Sequence, residues 1–433
     1  MKKIITYLLL GILLVSLLAG CSSKEDNNAT SDQMGEKQEE SATPKQKEKQ
    51  KLKIMVLSED SNRQAIYQNY YSKNIGEAFP NVEAEFELPG SASNYDSKLT
   101  VYNASGTLPD IFWGADIVYQ SGNALPLTER IKNNGFLDEF TNKAALIPAP
   151  DGEIYCLSSG TDSFFAGPIF YNKEIFAKEN LELPDSYEGF IELVKKLKEK
   201  GYLPISATSW ALQNFMFADL MTVDDPNAMR KLQSKEIGFT SEEVVKAAER
   251  LSSLYEMGAF PENVTSIEQQ VHEQLFIDGD AAMIYHPIWV YPAISVANFE
   301  IGYASLPEIF GNYTLNAWGS ATAGGFMIAK YTEDPDLALD VAQFLVMQDA
   351  EYWANEAGNA TALKGFDQLP AGAADVNQYF YEKIRDENTN VIPNFPTNFM
   401  QQAQQAEYVT NLEKLIFGQI TAEEFGKSME AIY

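Results

Sequence analysis

From residue 52 almost to the end of this chain, strand-like apolar runs alternate with amphipathic helical runs. No other feature limits the fold as much. Strand, helix and strand in succession close as a crossover unit, so the pattern predicts an α/β protein with mainly parallel sheets covered by helices. Residues 52–57 (LKIMVL) read as a first strand buried on both sides. Residues 63–79 carry helical spacing and stop before Pro80, and 82–88 alternate as a second strand. A helix over 95–105 is broken by Gly106-Thr107-Leu108-Pro109-Asp110, and Ile111-Phe112-Trp113 is a short strand.

The alternation halts at 151–178, DGEIYCLSSGTDSFFAGPIFYNKEIFAK. Two β-rich runs, 153–157 and 164–171, flank the polar segment Ser158-Ser159-Gly160-Thr161-Asp162-Ser163. Gly and Ser tolerate many backbone angles, so the segment can bend. It fits an ordinary hairpin loop or a passage between two lobes, and spacing does not separate the two. The 433 residues suggest two domains or one elaborated domain.

Beyond this segment the same grammar resumes. Asp185 and Glu188 resemble a capping box ahead of a helix whose stripe is Phe190, Leu193, Val194 and Leu197, ended by Gly201. Residues 203–207 read as a strand. Thr240 and Glu243 look like a second cap, and a strand leads into His286-Pro287-Ile288-Trp289. Residues 301–306 form a further strand, Asp334-Pro335 caps a long helix through Trp353, and Thr421 with Glu424 caps the last one.

The N-terminus carries an address. Lys2-Lys3 and the apolar run 4–18 form a signal peptide too short for a convincing membrane span. Small residues then precede a cysteine in Leu18-Ala19-Gly20-Cys21, which resembles a bacterial lipobox. That implies cleavage after residue 20, lipid on Cys21, and a position on the extracytoplasmic face of a bacterial membrane. Residues 21–51 hold almost nothing apolar and read as a disordered tether. With Cys21 used, Cys156 has no partner for a disulfide and reads as a buried thiol.

Acidic residues outnumber basic ones 61 to 32, for a formal charge of −29. Such a chain repels nucleic acid and anionic lipid. No nucleophile elbow, zinc motif, phosphate loop, dinucleotide fingerprint or EF-hand pattern occurs, so no cofactor or metal is expected. His272 and His286 are the only histidines, and each reads as structural.

Several pieces recur together in a familiar order. Gly106-Thr107-Leu108-Pro109-Asp110-Ile111-Phe112-Trp113 resembles the SG-x-LPDvf stretch of family 1 extracellular solute-binding proteins of ABC importers, which include the maltodextrin-binding protein. Asp151-Gly152-Glu153-Ile154-Tyr155 is similar to its DGKiY, and Tyr171-Asn172-Lys173-Glu174-Ile175-Phe176 to its YNKdlF. Leu183-Pro184 through Phe190 resembles P-x-TWdEf, although Asp185, Ser186 and Tyr187 depart from the usual Thr-Trp. Residues 276–283 look like F-x-x-GkaAM, and Trp289 falls where the family has GxW. The resemblance covers 52–433.

It implies the two-lobe periplasmic-binding-protein type II fold, with a hinge and an interlobe cleft. One lobe would hold 52–162 and 320–358, the other 163–319 and 359–433. The third crossing lacks the usual proline, reading Gly358-Asn359-Ala360-Thr361-Ala362. The implied function is capture of a carbohydrate, as an oligosaccharide, by a monomer that closes on it and docks on membrane permease subunits, with no catalysis.

A sugar offers an apolar C–H face to flat rings and hydroxyls to carboxylates. Trp113, Trp210, Trp289 and Trp318 lie at strand or loop ends and are candidate stacking plates, whereas Trp353 lies within a helix and reads as core. The family stacks a sugar where Trp289 falls, and holds hydroxyls where Asp116 falls. Glu59, Asp60 and Asp162 are further candidates. Acids beside aromatics also suit the ammonium groups of a polyamine. Paired carboxylates keep a surface-anchored glycosidase open as a third reading.

Overall fold

A computed structural model describes residues 49–57, 64–159, 168–311, 316–319, 321–356, 361–366, 368–369, 375–386, 389–393 and 396–433. The strands among them are β1 Gln50–Met55, β2 Val82–Glu87, β3 Ile111–Trp113, β4 Pro168–Asn172, β5 Leu203–Ser206, β6 Ala281–Tyr285, β7 Ile301–Ser305, β8 Asn316–Gly319, β9 Phe326–Ile328 and β10 Asn390–Pro393. They build two four-stranded sheets, ordered β2-β1-β3-β9 and β5-β6-β4-β7, and a separate parallel β8–β10 pair.

The sheets are mixed rather than mainly parallel, and the exceptions follow a rule. In the first sheet β1, β2 and β3 run one way and β9 runs against β3. In the second, β5, β6 and β7 share a direction, and β4 lies reversed between β6 and β7. The reversed strands are those the chain reaches after leaving the other sheet. Where a crossover returns the chain to the same sheet, as from β1 to β2 and from β6 to β7, the new strand runs parallel to the last, whereas β5, reached from the reversed β4, keeps the direction of β6. β4 and β9 instead begin beside their neighbours' carboxyl ends: Ile169 pairs with Tyr285 and Phe326 with Trp113. Both sheets therefore face the passage with the carboxyl ends of their co-directional strands.

Burial follows the pleat. In β1, Leu52, Ile54 and Met55 are buried, the last two on opposite faces, so helices cover both sides of this sheet. Ile54, Phe112 and Met327 share a core with Leu345 of the long helix Pro335–Glu356. In the second sheet Ile169, Met283 and Tyr285 join a core with Phe190, Leu193, Val194 and Leu197, the predicted stripe of helix Tyr187–Glu199. The alternate residues Phe170 and Ile284 point to the other face.

Helix starts differ in detail from expectation. Ser186, not Asp185, caps Tyr187–Glu199, its side chain accepting from the Gly189 amide at 3.2 Å. Helix Glu242–Glu256 begins after Ser241 rather than at a Thr240 cap, with no side-chain cap bond. Asp334 does cap the long helix through the Leu337 amide at 3.0 Å, and the Thr421–Glu424 box is present. The expected strand at 153–157 is absent. Its backbone is spent elsewhere: the Ile154 carbonyl accepts from the Leu127 amide at 2.8 Å, the Ile154 amide donates to Thr128 Oγ1, and only Leu157 bridges Phe326.

Two glycines let the passage lie close against the first sheet. A Cβ on Gly114 would sit 2.2 Å from the Thr322 carbonyl oxygen, and one on Gly325 would sit 2.2 Å from that of Leu157. Both obstacles are backbone, held by the Gly114 amide donating to the Gly325 carbonyl at 2.8 Å. Gly114→Ala and Gly325→Ala are each expected to cost roughly 1–3 kcal/mol of stability by overpacking. Urea unfolding measures this, and a wild-type midpoint for both would contradict the packing.

Candidate functional site

The carboxyl ends of co-directional strands are where open α/β sheets leave room for a ligand. In the first sheet the end of β3 leads through Gly114 into the short helix Asp116–Gln120, with Asp116 in its first turn. β9 begins beside it, so residues 321–325 run past Gly114, and Thr322 Oγ1 donates a hydrogen bond to Asp116 Oδ1. Burial pushes the Asp116 carboxyl up to about 6; the Thr322 bond works against this, and the nearby Asp96 charge adds to it.

Asp116 lines a cavity of about 330 Å³ together with Asp96, Gln120, Thr322 and Gln405. No Lys, Arg or His is among its described lining residues. Gln405 belongs to helix Gln402–Ile416, whose Tyr408 and Leu412 lie in the second sheet's core. The cavity thus has walls from both cores. Gln120 Nε2 donates to the Met400 carbonyl at 2.5 Å across the same gap, and Gln405 Nε2 donates to that carbonyl at 3.0 Å.

The predicted tryptophans fall in different settings. Trp113 is 9% exposed, edge-on to Phe326 with centroids 5.2 Å apart, and its carbonyl accepts from Tyr95 Oη at 2.5 Å. Trp210 is 40% exposed in the first turn of the helical run that begins at Ser209, not on a loop as expected, beside Phe215 at 5.2 Å and His286 at 6.3 Å. Trp289 follows β6 in the turn Ile288–Val290, and Trp318 lies in β8; their side chains lie outside the described residues. So do Cys21, Glu59, Asp60 and Asp162. Cys156 is buried and in no disulfide, its Sγ donating to the Ala323 carbonyl at 3.7 Å.

Sequence reading missed Thr322, Gln405, Gln120 and Asp96. Thr322 lies 206 positions from Asp116, and only the β3–β9 register brings the two together. It also missed a buried pair behind Trp210. His272 and His286 stack with centroids 5.3 Å apart and 25° between planes. Burial pushes His272 down to about 3, with His286 adding to it, and His286 down to about 4.

The profile of a family described as bacterial extracellular solute-binding protein matches residues 61–352, well over half of the chain. The chain belongs to that family. It is 24% identical over 208 residues to the galactooligosaccharide-binding protein of Bacillus subtilis strain 168, across 47% of this chain and 46% of that one. The match thus spans about half of that relative's length. Over 276 residues it is 23% identical to the multiple sugar-binding protein of Streptococcus mutans serotype c, across 60% and 61% of the two chains. A solved chitin oligosaccharide binding protein superposes with a TM-score of 0.70 at 22% identity, over 89% of this chain and 98% of that one. That likeness identifies the two-lobe fold. Among the described residues no helix is long and apolar enough to cross a membrane.

Proposed function

We propose that this family member captures an oligosaccharide in the gap between the two sheets and delivers it to the permease of an ABC importer. The observation that carries the reading is Asp116. Its carboxylate faces a cavity walled by residues of both cores, beside the Thr322 hydroxyl and with no basic residue among the described lining. A carboxylate and a hydroxyl accept and donate hydrogen bonds as the hydroxyls of a neutral sugar require. The names of the relatives, which refer to galactooligosaccharide, multiple sugars and chitin oligosaccharide, support the same class.

A ligand touching Asp116 on one side and Gln405 on the other binds the closed arrangement better than the open one. That differential affinity drives closure, and no bond is made or broken. The lobes would be 52–162 with 320–358 and 163–319 with 359–433. Trp113, Trp210, Trp289 and Trp318 would supply rings, and Glu59, Asp60 and Asp162 further polar contacts. The protein would act as a monomer.

One observation favours a second ligand class. Asp96 and Asp116 line the cavity together with no basic side chain among its described lining residues, which suits a polyamine. Thermal unfolding with galacto-, chito- and xylo-oligosaccharides, and with spermidine at low and high salt, separates the two. A sugar-dependent rise in Tm with the sugar recovered intact is expected. A rise with spermidine alone, erased by salt, would replace the sugar reading, and released reducing ends would replace both with hydrolysis.

Cys21 would be the lipid anchor, with 21–51 as its tether. Cys21→Ala is expected to move the protein from the membrane pellet to the soluble fraction and to abolish radiolabelled palmitate incorporation. Retention in the pellet with label would place the anchor elsewhere.

A further inference from the structure

We infer that the protein has a second carbohydrate-binding groove, at the amino ends of β6 and β7, on the far side of the second sheet from the gap. A cavity of about 490 Å³ opens there, within the range of small-ligand sites. Its rings are Tyr171, Tyr291, Phe299 and Tyr303, all half-buried. The register fixes its position. Tyr171 pairs with Gly302 near the start of β7, while the carboxyl ends of β6 and β7 lie beside Ile169 and Pro168, at the other end of β4.

Each of these rings is braced by another behind it. Tyr171 rests against Phe176 at 4.6 Å, Tyr291 against Phe170 at 5.8 Å, Phe299 against Phe276 at 5.3 Å, and Tyr303 against Tyr379 at 5.4 Å between centroids. Gly302 completes the seat, because a Cβ there would lie 2.1 Å from the Tyr171 ring. A wall held this way loses little freedom when a ligand stacks on it.

The polar groups match the same ligand. The phenols of Tyr171, Tyr291 and Tyr303 have no hydrogen-bond partner among the described residues. Asp375, in the first turn of helix Asp375–Arg385, adds a carboxylate acceptor. Lys173 and Glu300 are paired with each other, so they present little net charge. Fixed rings with free phenols and one acceptor suit a pyranose face and its hydroxyls. The groove shares its ligand class with the reading above but none of its residues.

Native electrophoresis through gels containing soluble arabinogalactan, xylan, glycol chitin or starch tests it, using Asp116→Ala protein to disable the gap. Retardation in at least one gel is expected to survive Asp116→Ala. It should fall about tenfold in apparent affinity when Tyr291→Ala and Tyr303→Ala are added, since two stacking contacts are lost. If that protein is poorly folded, Tyr291→Phe with Tyr303→Phe keeps the rings and should still weaken retardation. With Asp116 restored, the tyrosine variants should keep any Tm shift given by short sugars. A missing shift in the wild type would count against the gap reading alone. Absence of retardation of Asp116→Ala in all four gels, or retardation indifferent to Tyr291 and Tyr303, would overturn the groove.

Discussion

Asp116→Ala is expected to weaken sugar binding by about ten- to a hundredfold at pH 7.5, the range for removing a hydrogen bond to a charged acceptor. Titration calorimetry with the best oligosaccharide measures it. The loss should also depend on pH in the wild type. The carboxyl sits at about 6 because burial disfavours its charged form. Ligand hydroxyls that donate to an ionised carboxylate lose that acceptor as pH falls through about 6. Affinity should therefore decline from pH 7.5 to 5, and Asp116→Asn should remove the decline. The stability sign is opposite. A carboxyl raised above its ordinary value favours the folded state fully below about 3.8, the ordinary aspartate value, and that contribution is lost as pH rises through about 6. Asp116→Asn should accordingly raise the unfolding midpoint of the ligand-free protein at neutral pH. A site held ready at some cost to the empty fold behaves this way. A pH-independent wild-type affinity would remove Asp116 from the contact set.

What could be read from the sequence was local. Periodicity located the strand at 111–113 and the stripe of Tyr187–Glu199, because side-chain spacing along one element decides which face is buried. Cap positions slipped by a residue at Ser186 and Ser241, where neighbouring polar residues compete for one role. The reversal of β4 and β9 was illegible because it depends on where the chain arrives from. For the same reason the sequence could nominate Asp116 but not its partner. Thr322 lies 206 positions away, and only the antiparallel Trp113–Phe326 pairing brings the two together. Gln405 is harder still, since its helix reaches the cavity from the second core. A motif names residues on one strand end; the opposite wall is set by tertiary packing.

The stacked histidines should dominate the acid response. Both ring nitrogens of His272 are buried without a hydrogen-bond partner among the described residues, and the ring is fully buried. His286 Nδ1 bonds the Pro287 carbonyl at 3.1 Å. Each imidazole is held neutral in the fold, with its pKa below the ordinary 6.5, at about 3 and about 4. The sign follows: stability is complete above pH 6.5 and drains as pH falls from there toward about 4, because the unfolded chain takes up protons that the folded one refuses. Between pH 7 and pH 4.5 the pair should cost roughly 2–5 kcal/mol. His272→Leu removes one titrating ring and two unpartnered polar atoms at similar volume. It should leave the midpoint at pH 7 unchanged or higher, against the usual cost of a core substitution, and reduce the acid loss by about half. Urea unfolding of both proteins at pH 7, 6, 5 and 4.5 decides it. Parallel acid losses would mean that carboxylates elsewhere govern the acid limb and that the buried pair titrates as it does in the unfolded chain.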